Sequence, residues 1–255
     1  MKFIDAYVID FASDNEKVGL ADKIREVKAS YNAFSVGNAI HAFEQVVEFY
    51  NWLGSKHTKE TYGVNSNLAR NLPGALMQDW LIHVMLSLTK NTPELFLFTE
   101  VKVPFGNYPL WEKGGVVYRQ PSEKSDLAVG FLQSKNGEII RSKDPWPNKV
   151  YAAQRDLNGC SVIPLITVNS KIRVSQSEFF DWQGREQLMT KGHPHCLSVQ
   201  VALRKEMDYS VVEAAQAGDK FFLLGAGGET NVCPDREELI RFIKTVGDHI
   251  QERMF

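Results

Sequence analysis

Three side chains in the middle of the chain suit a single reaction. Ser125-Asp126 opens the apolar run Leu127-Ala128-Val129-Gly130-Phe131, and a second run, Ile163-Pro164-Leu165-Ile166-Thr167-Val168, ends in Asn169-Ser170-Lys171. Side chains alternate along a strand, so Asn169 and Lys171 leave one face and Ser170 the other. If the two strands are neighbours, a carboxylate, an amide oxygen and an ammonium converge. Such a set fits hydrolysis of a phosphodiester. A hard cation needs oxygen ligands, with Asp126 as the main one and Asn169 as a neutral one, and it lowers the pKa of an attacking water. Lys171 would orient or deprotonate that water, or neutralise developing charge. Asp156 competes with Asp126, lying thirteen residues before Asn169, but Arg155-Asp156-Leu157-Asn158-Gly159 reads as a turn rather than a strand start.

The elements that must position these residues follow from periodicity. The first hundred residues are helix-rich: Ala39, Ala42, Phe43, Val46, Val47, Tyr50 and Leu53 recur at helical spacing. A further helix is expected to start near Leu72-Pro73-Gly74 and to stop at Asn91-Thr92-Pro93. Strands are expected over Leu95–Val103, Val116–Arg119, Leu127–Leu132 and Val162–Val168, with an insertion between Gln133 and Gly159 that holds an Asn136-Gly137 turn. A helix then runs from about Ser175–Ser177 to Lys191-Gly192-His193-Pro194. Cys196–Leu203 and Phe221–Leu224 read as strands and Pro234–Met254 as a closing amphipathic helix. The pattern predicts an α/β (α+β) fold with a central mixed sheet flanked by helices: one domain over 1–255, helix-rich over 1–92, with the sheet core over 93–255.

An Asp at a strand start, then an insertion and a strand ending in a polar-x-Lys pair, resembles the PD-(D/E)xK nucleases, and among them the type II restriction endonucleases. That family carries Asp or Glu where this chain has Asn169. In its CCGG-cutting group the second carboxylate comes from the following helix, after Lys and an Arg-bearing linker. Here Lys171 is followed by Arg173 and, fifteen residues after the lysine, by Arg185-Glu186; the spacing is one residue longer and Arg185 directly adjoins Glu186. Glu186 shares a helical face with Phe179, Trp182 and Met189, where a carboxylate is costly without a cation beside it. Glu178 is the alternative, although Ser175-x-x-Glu178 already reads as a capping box.

Gln78 sits where such nucleases often carry a helical Glu facing the metal. The resemblance implies Mg²⁺ held by Asp126, Asn169 and Glu186, inline attack by water leaving 5′-phosphate ends, and double-stranded DNA as substrate. It also implies a homodimer or homotetramer, matching the symmetry of a short site, and a cognate DNA methyltransferase. Arg173, Gln176, Arg185, Arg204 and Lys205 would reach phosphates or base edges.

Charge distribution agrees with such a substrate. The net charge is −2, but residues 101–173 carry eleven Lys/Arg against six Asp/Glu. Local attraction is what counts, since screening limits each charge to about 10 Å. The N-terminal residues lack a signal-peptide pattern, no run of eighteen apolar residues occurs, and three scattered cysteines argue against a disulfide framework, so a bacterial or archaeal cytoplasm is expected. Two rival readings stand beside the nuclease. One is a non-catalytic DNA- or partner-binding α/β protein, for which Asn169 is the argument. The other is a thiol or zinc hydrolase centred on His193, His195 and Cys196.

Overall fold

The structure, a computed structural model, describes residues 2–32, 35–104, 108–112, 115–119, 122–141, 150–152, 160–218, 220–228 and 231–254. Asp156 and part of the expected insertion lie outside the described residues.

Five α-helices come first: α1 (Lys2–Ala12), α2 (Val18–Asn32), α3 (Ala39–Gly54), α4 (Lys56–Tyr62) and α5 (Ser66–Leu88). The apolar spacing in α3 becomes its buried face, Ala39, Ala42, Phe43, Val46, Val47, Phe49 and Leu53. Helix α5 starts earlier than expected. Asn65 caps it by accepting from Leu68 N–H at 2.9 Å, so Pro73 lies inside the helix. An internal proline removes a backbone bond and costs about 3 kcal/mol. Burial of Leu72, Leu76, Met77, Trp80, Leu81 and Val84 along the same helix outweighs it.

The remaining elements are β1 (Leu95–Pro104), β2 (Tyr108–Glu112), β3 (Gly115–Arg119), β4 (Ser122–Gln133), β5 (Ile139–Ile140), β6 (Val150–Ala152) and β7 (Ser161–Ser175). After these come α6 (Gln176–Gly192), β8 (Leu197–Glu206), α7 (Tyr209–Gln216), β9 (Phe221–Leu223), β10 (Gly225–Gly227), β11 (Val232–Pro234) and α8 (Arg236–Met254). The main sheet runs β6-β1-β4-β7-β8-β9, with β5 on β4. Its β1–β4 and β4–β7 pairs are antiparallel, and β1–β6, β7–β8 and β8–β9 are parallel, which makes it a mixed sheet. One face packs on α5, α3 and α8 through Leu97, Leu127, Val129, Val168, Val201 and Phe222. The other face meets α6 and α7 in two smaller clusters, through Ala128, Val162 and Met189, and through Phe179, Trp182, Val212 and Phe221. The layers are helix, sheet, helix.

One feature of the sheet positions the site. Strands β4 and β7 pair from Gln133/Ser161 to Leu127/Val168 and then part. Beyond that point β4 continues along β1 as far as Ser122/Pro104, and β7 continues along β8 as far as Ser175/Glu206. The strand expected to end at Asn169-Ser170-Lys171 therefore runs on to Ser175, held by β8 alone. A bulge at Gly130 lies in the paired part, where a Cβ would sit 2.3 Å from the Ile163 carbonyl oxygen. No residue but glycine permits that approach.

Candidate active site

Asp126 is the first residue of β4 past the parting of the strands. Its carboxylate crosses the gap, accepting the Ser170 backbone N–H at 2.8 Å and facing the Ser170 hydroxyl at 3.3 Å. Side chain thus replaces ladder at the fork. From the sheet face covered by helices, Gln78 of α5 donates its amide N–H to the Asp126 carbonyl at 3.1 Å. A cavity of about 620 Å³ opens here. Helix α5 lines it with Arg70, Asn71, Gly74, Ala75 and Gln78, whose spacing is a single helical stripe. Strand β7 contributes Ser170, Lys171, Ile172 and Arg173, and Glu100, Asp126, Glu178 and Glu206 supply the acids.

These charges are unequally committed. Glu206 accepts from Arg173 at 3.0 Å and from Arg204 at 2.9 Å. Glu178 closes a capping box with Ser175. Partial burial alone would raise the Glu178 carboxyl, but the Ser175 N–H and hydroxyl, with the charges of Lys171 and Arg173, hold it below its ordinary value. Lys171 is exposed and has no ion pair among the described residues. A second cavity of about 470 Å³ shares Arg70, Ile172 and Arg173 with the first and adds Lys59 and Arg204.

Glu100 has a backbone unlike its neighbours'. Its φ is +51°, the one non-glycine in the left-handed region among the described residues. Such a conformation costs about 1–3 kcal/mol and persists only where surroundings enforce it. Phe96 and Phe98 before it, and Val101 and Val103 after it, all enter the same core cluster, so side-chain alternation slips by one at Glu100. Pairing with β4 nevertheless keeps step, with Thr99 opposite Leu127 and Val101 opposite Ser125. Glu100 and Asp126 are the residues between those pairs.

A solved structure described as the native BbvCI A2B2 tetramer, a type II restriction endonuclease, shares this architecture. The TM-score is 0.58 at 11% sequence identity, over 98% of each chain. The fold is restriction-endonuclease-like. No protein-family model matches the chain, and no curated protein matches it by sequence.

Within this fold the residues expected from sequence are distributed unevenly. Asp126, Lys171, Gln78, Arg173 and Glu178 border one cavity. Asn169 does not. It is half-buried opposite Gln200 in the β7–β8 register, and the Asp126 carboxylate bonds to Ser170 instead. Glu186 lies eight residues beyond Glu178, roughly 12 Å further along the helix. It does sit on the buried face with Phe179, Trp182 and Met189, but its cation is Lys220, and Thr190 also donates to it at 2.7 Å. That ion pair offsets the cost of its partial burial. Arg185 pairs with Asp181 on the exposed side of α6, Arg204 borders the second cavity, and Gln176 and Lys205 line neither one.

Sequence reasoning missed Glu100, Arg70 and Ser170. A lone carboxylate inside the strand Leu95–Val103 was the available signal for Glu100. Among the described residues no group of three or more His, Cys, Asp or Glu gathers as a metal cluster. Burial pushes the Cys196 thiol up to about 12, against a hydrogen bond from Thr167, which suits a packed thiol and not a nucleophile. Cys233 is exposed and Cys160 half-buried. With a thiol reagent under native conditions, Cys233 is expected to react first and Cys196 only on unfolding. Rapid labelling of Cys196 in the folded protein, read by mass spectrometry, would contradict this.

Proposed function

We propose that the chain is a Mg²⁺-dependent endonuclease that hydrolyses double-stranded DNA at a short specific sequence. The observation that supports this best is the fork between β4 and β7, which brings Asp126 and Lys171 to one cavity on a restriction-endonuclease-like fold. The donor set fits a hard cation. One Asp126 oxygen is bonded to Ser170, the other accepts no hydrogen bond among the described residues, and the Gln78 amide oxygen is close by. Mg²⁺ needs only one or two carboxylates when phosphate oxygens and waters complete its shell. When bound, it would supply Lewis-acid stabilisation of the phosphate and acidify a water.

The chain's own residues do the rest. Asp126 would be the carboxylate that holds the cation. Lys171 lies at the cavity wall, where its ammonium can orient the attacking water or balance charge on the phosphate. Arg70 and Arg173 border both cavities, and Lys59 extends the cationic surface, a layout suited to successive phosphates of one strand. Arg173, Gln176, Arg185, Arg204 and Lys205 remain the candidates for contacts beyond the scissile phosphate. BbvCI is described as an A2B2 tetramer; for this chain an oligomer, as homodimer or homotetramer, would place two such sites on the two strands. A methyltransferase of matching specificity would protect host DNA.

Plasmid incubated with the protein and Mg²⁺ should yield discrete bands, and EDTA should abolish them. Asp126→Asn should lower the rate about 10³-fold, the scale set by a lost transition-state electrostatic partner. Bands of equal intensity in EDTA, or from Asp126→Asn, would refute the proposal.

A further inference from the structure

We infer that Glu100 supplies the second carboxylate to the cation, in the role that the sequence assigned to Glu186. The inference rests on the nuclease reading of the Asp126 cavity and names one more ligand there. Four carboxylates line that cavity: Glu100, Asp126, Glu178 and Glu206. Two of them are already committed. Glu178 accepts the Ser175 backbone N–H and hydroxyl in the capping box at the start of α6, and Glu206 is bridged by Arg173 and Arg204. Among the described residues Glu100 pairs with Lys124, at 3.3 Å with both side chains substantially exposed. An exposed pair of that kind holds little in place.

Position in the sheet strengthens the assignment. Glu100 and Asp126 occupy the corresponding step of the β1–β4 ladder, between Thr99/Leu127 and Val101/Ser125, where β4 leaves β7. At that step β1 rotates through a left-handed residue while holding its register, and the residue that takes the strain carries a carboxylate and not the hydrogen that would relieve it. Both acids border the cavity with Gln78 and Lys171. Carboxylates from adjacent strands, with an amide from the covering helix, make an all-oxygen set of the kind Mg²⁺ takes alongside phosphate and water.

The test is Mn²⁺ binding by the full-length protein without DNA, followed by calorimetry and by electron paramagnetic resonance. Four variants are compared with the parent: Glu100→Gln, Glu100→Gly, Asp126→Asn and Glu186→Gln. Glu100→Gln and Asp126→Asn should each weaken Mn²⁺ at least about tenfold, since losing even a residue that only supports a ligand costs about 10–100-fold. Glu186→Gln should bind as the parent does. Glu100→Gly should lose Mn²⁺ affinity in the same way while its metal-free melting temperature holds or rises, which separates loss of a ligand from loss of fold. Parent-like binding by Glu100→Gln, with binding lost in Asp126→Asn, overturns the inference and leaves the nuclease site standing. Parent-like binding by Asp126→Asn overturns both.

Discussion

Lys171→Ala is expected to slow DNA cleavage by about 10²–10⁴-fold, the range for a positioned proton-transfer or charge-stabilising group. Melting should shift by no more than about 1–2 °C, since an exposed side chain outside any packed cluster contributes within about 0.5 kcal/mol. The dissociation follows from how the residue is held. Its backbone is fixed by the β7–β8 ladder, where Lys171 stands opposite Ala202, so truncation leaves the strand in place. Its side chain borders the cavity and has no ion pair among the described residues, and Glu178, an acid its charge acts on, keeps Ser175 and Arg173 when it is removed. Lys171→Arg divides the two possible roles: arginine keeps the charge but does not give up its proton at any working pH. Partial rescue by arginine means charge stabilisation; no rescue means proton transfer or a point-like ammonium. Single-turnover rates in excess enzyme, with melting curves on the same preparations, are the measurements. A Lys171→Ala rate within a few-fold of the parent would remove Lys171 from the reaction.

The elements around this site were largely visible in the sequence, because their signals are local. The apolar spacing of α3, the Ser175 capping box and the glycine-proline stop after α6 each act within a few residues. Asp126 and Lys171 stand out as candidates for the same reason, as polar groups against long apolar runs. What spacing could not show depended on partners distant in the chain. Alternation along an isolated strand put Asn169 with Lys171 and sent Ser170 away. The parting of β4 from β7 reverses the outcome, because a cavity in a fork is lined by consecutive residues of one strand, Ser170 to Arg173. Glu186 falls on the packed face of its helix, where a carboxylate needs a cation, but Lys220, thirty-four residues on, could not be seen as that cation from spacing. Pro73 looked like a helix start because proline favours that position; the tertiary burial of α5 tolerates it mid-helix.

Trp80→Ala should produce the opposite result to Lys171→Ala, a large loss of stability with the chemistry kept. Trp80 is wholly buried between Phe43, at 4.7 Å between ring centroids, and Phe242, at 6.1 Å. Its indole N–H donates to the Ala39 carbonyl at 2.9 Å, tying α5 to the start of α3. Truncation leaves a cavity and removes the indole hydrogen bond to the Ala39 carbonyl, at a cost of about 3–5 kcal/mol. In a domain of this size that corresponds to a fall of roughly 10 °C in melting temperature. Trp80→Phe should cost less, since the ring still fills most of the space and only the hydrogen bond goes. Cleavage should nevertheless persist below the melting transition. Trp80 is two residues from Gln78, about 200° around the helix, so it faces the core while the stripe from Arg70 to Gln78 faces the cavity. Initial rates at low temperature, where Trp80→Ala remains folded by circular dichroism, should stay within a few-fold of the parent. A rate as low as that of Lys171→Ala under those conditions would mean that the α5 stripe is not rigidly placed by its own helix, and that the geometry of the fork depends on the core behind it.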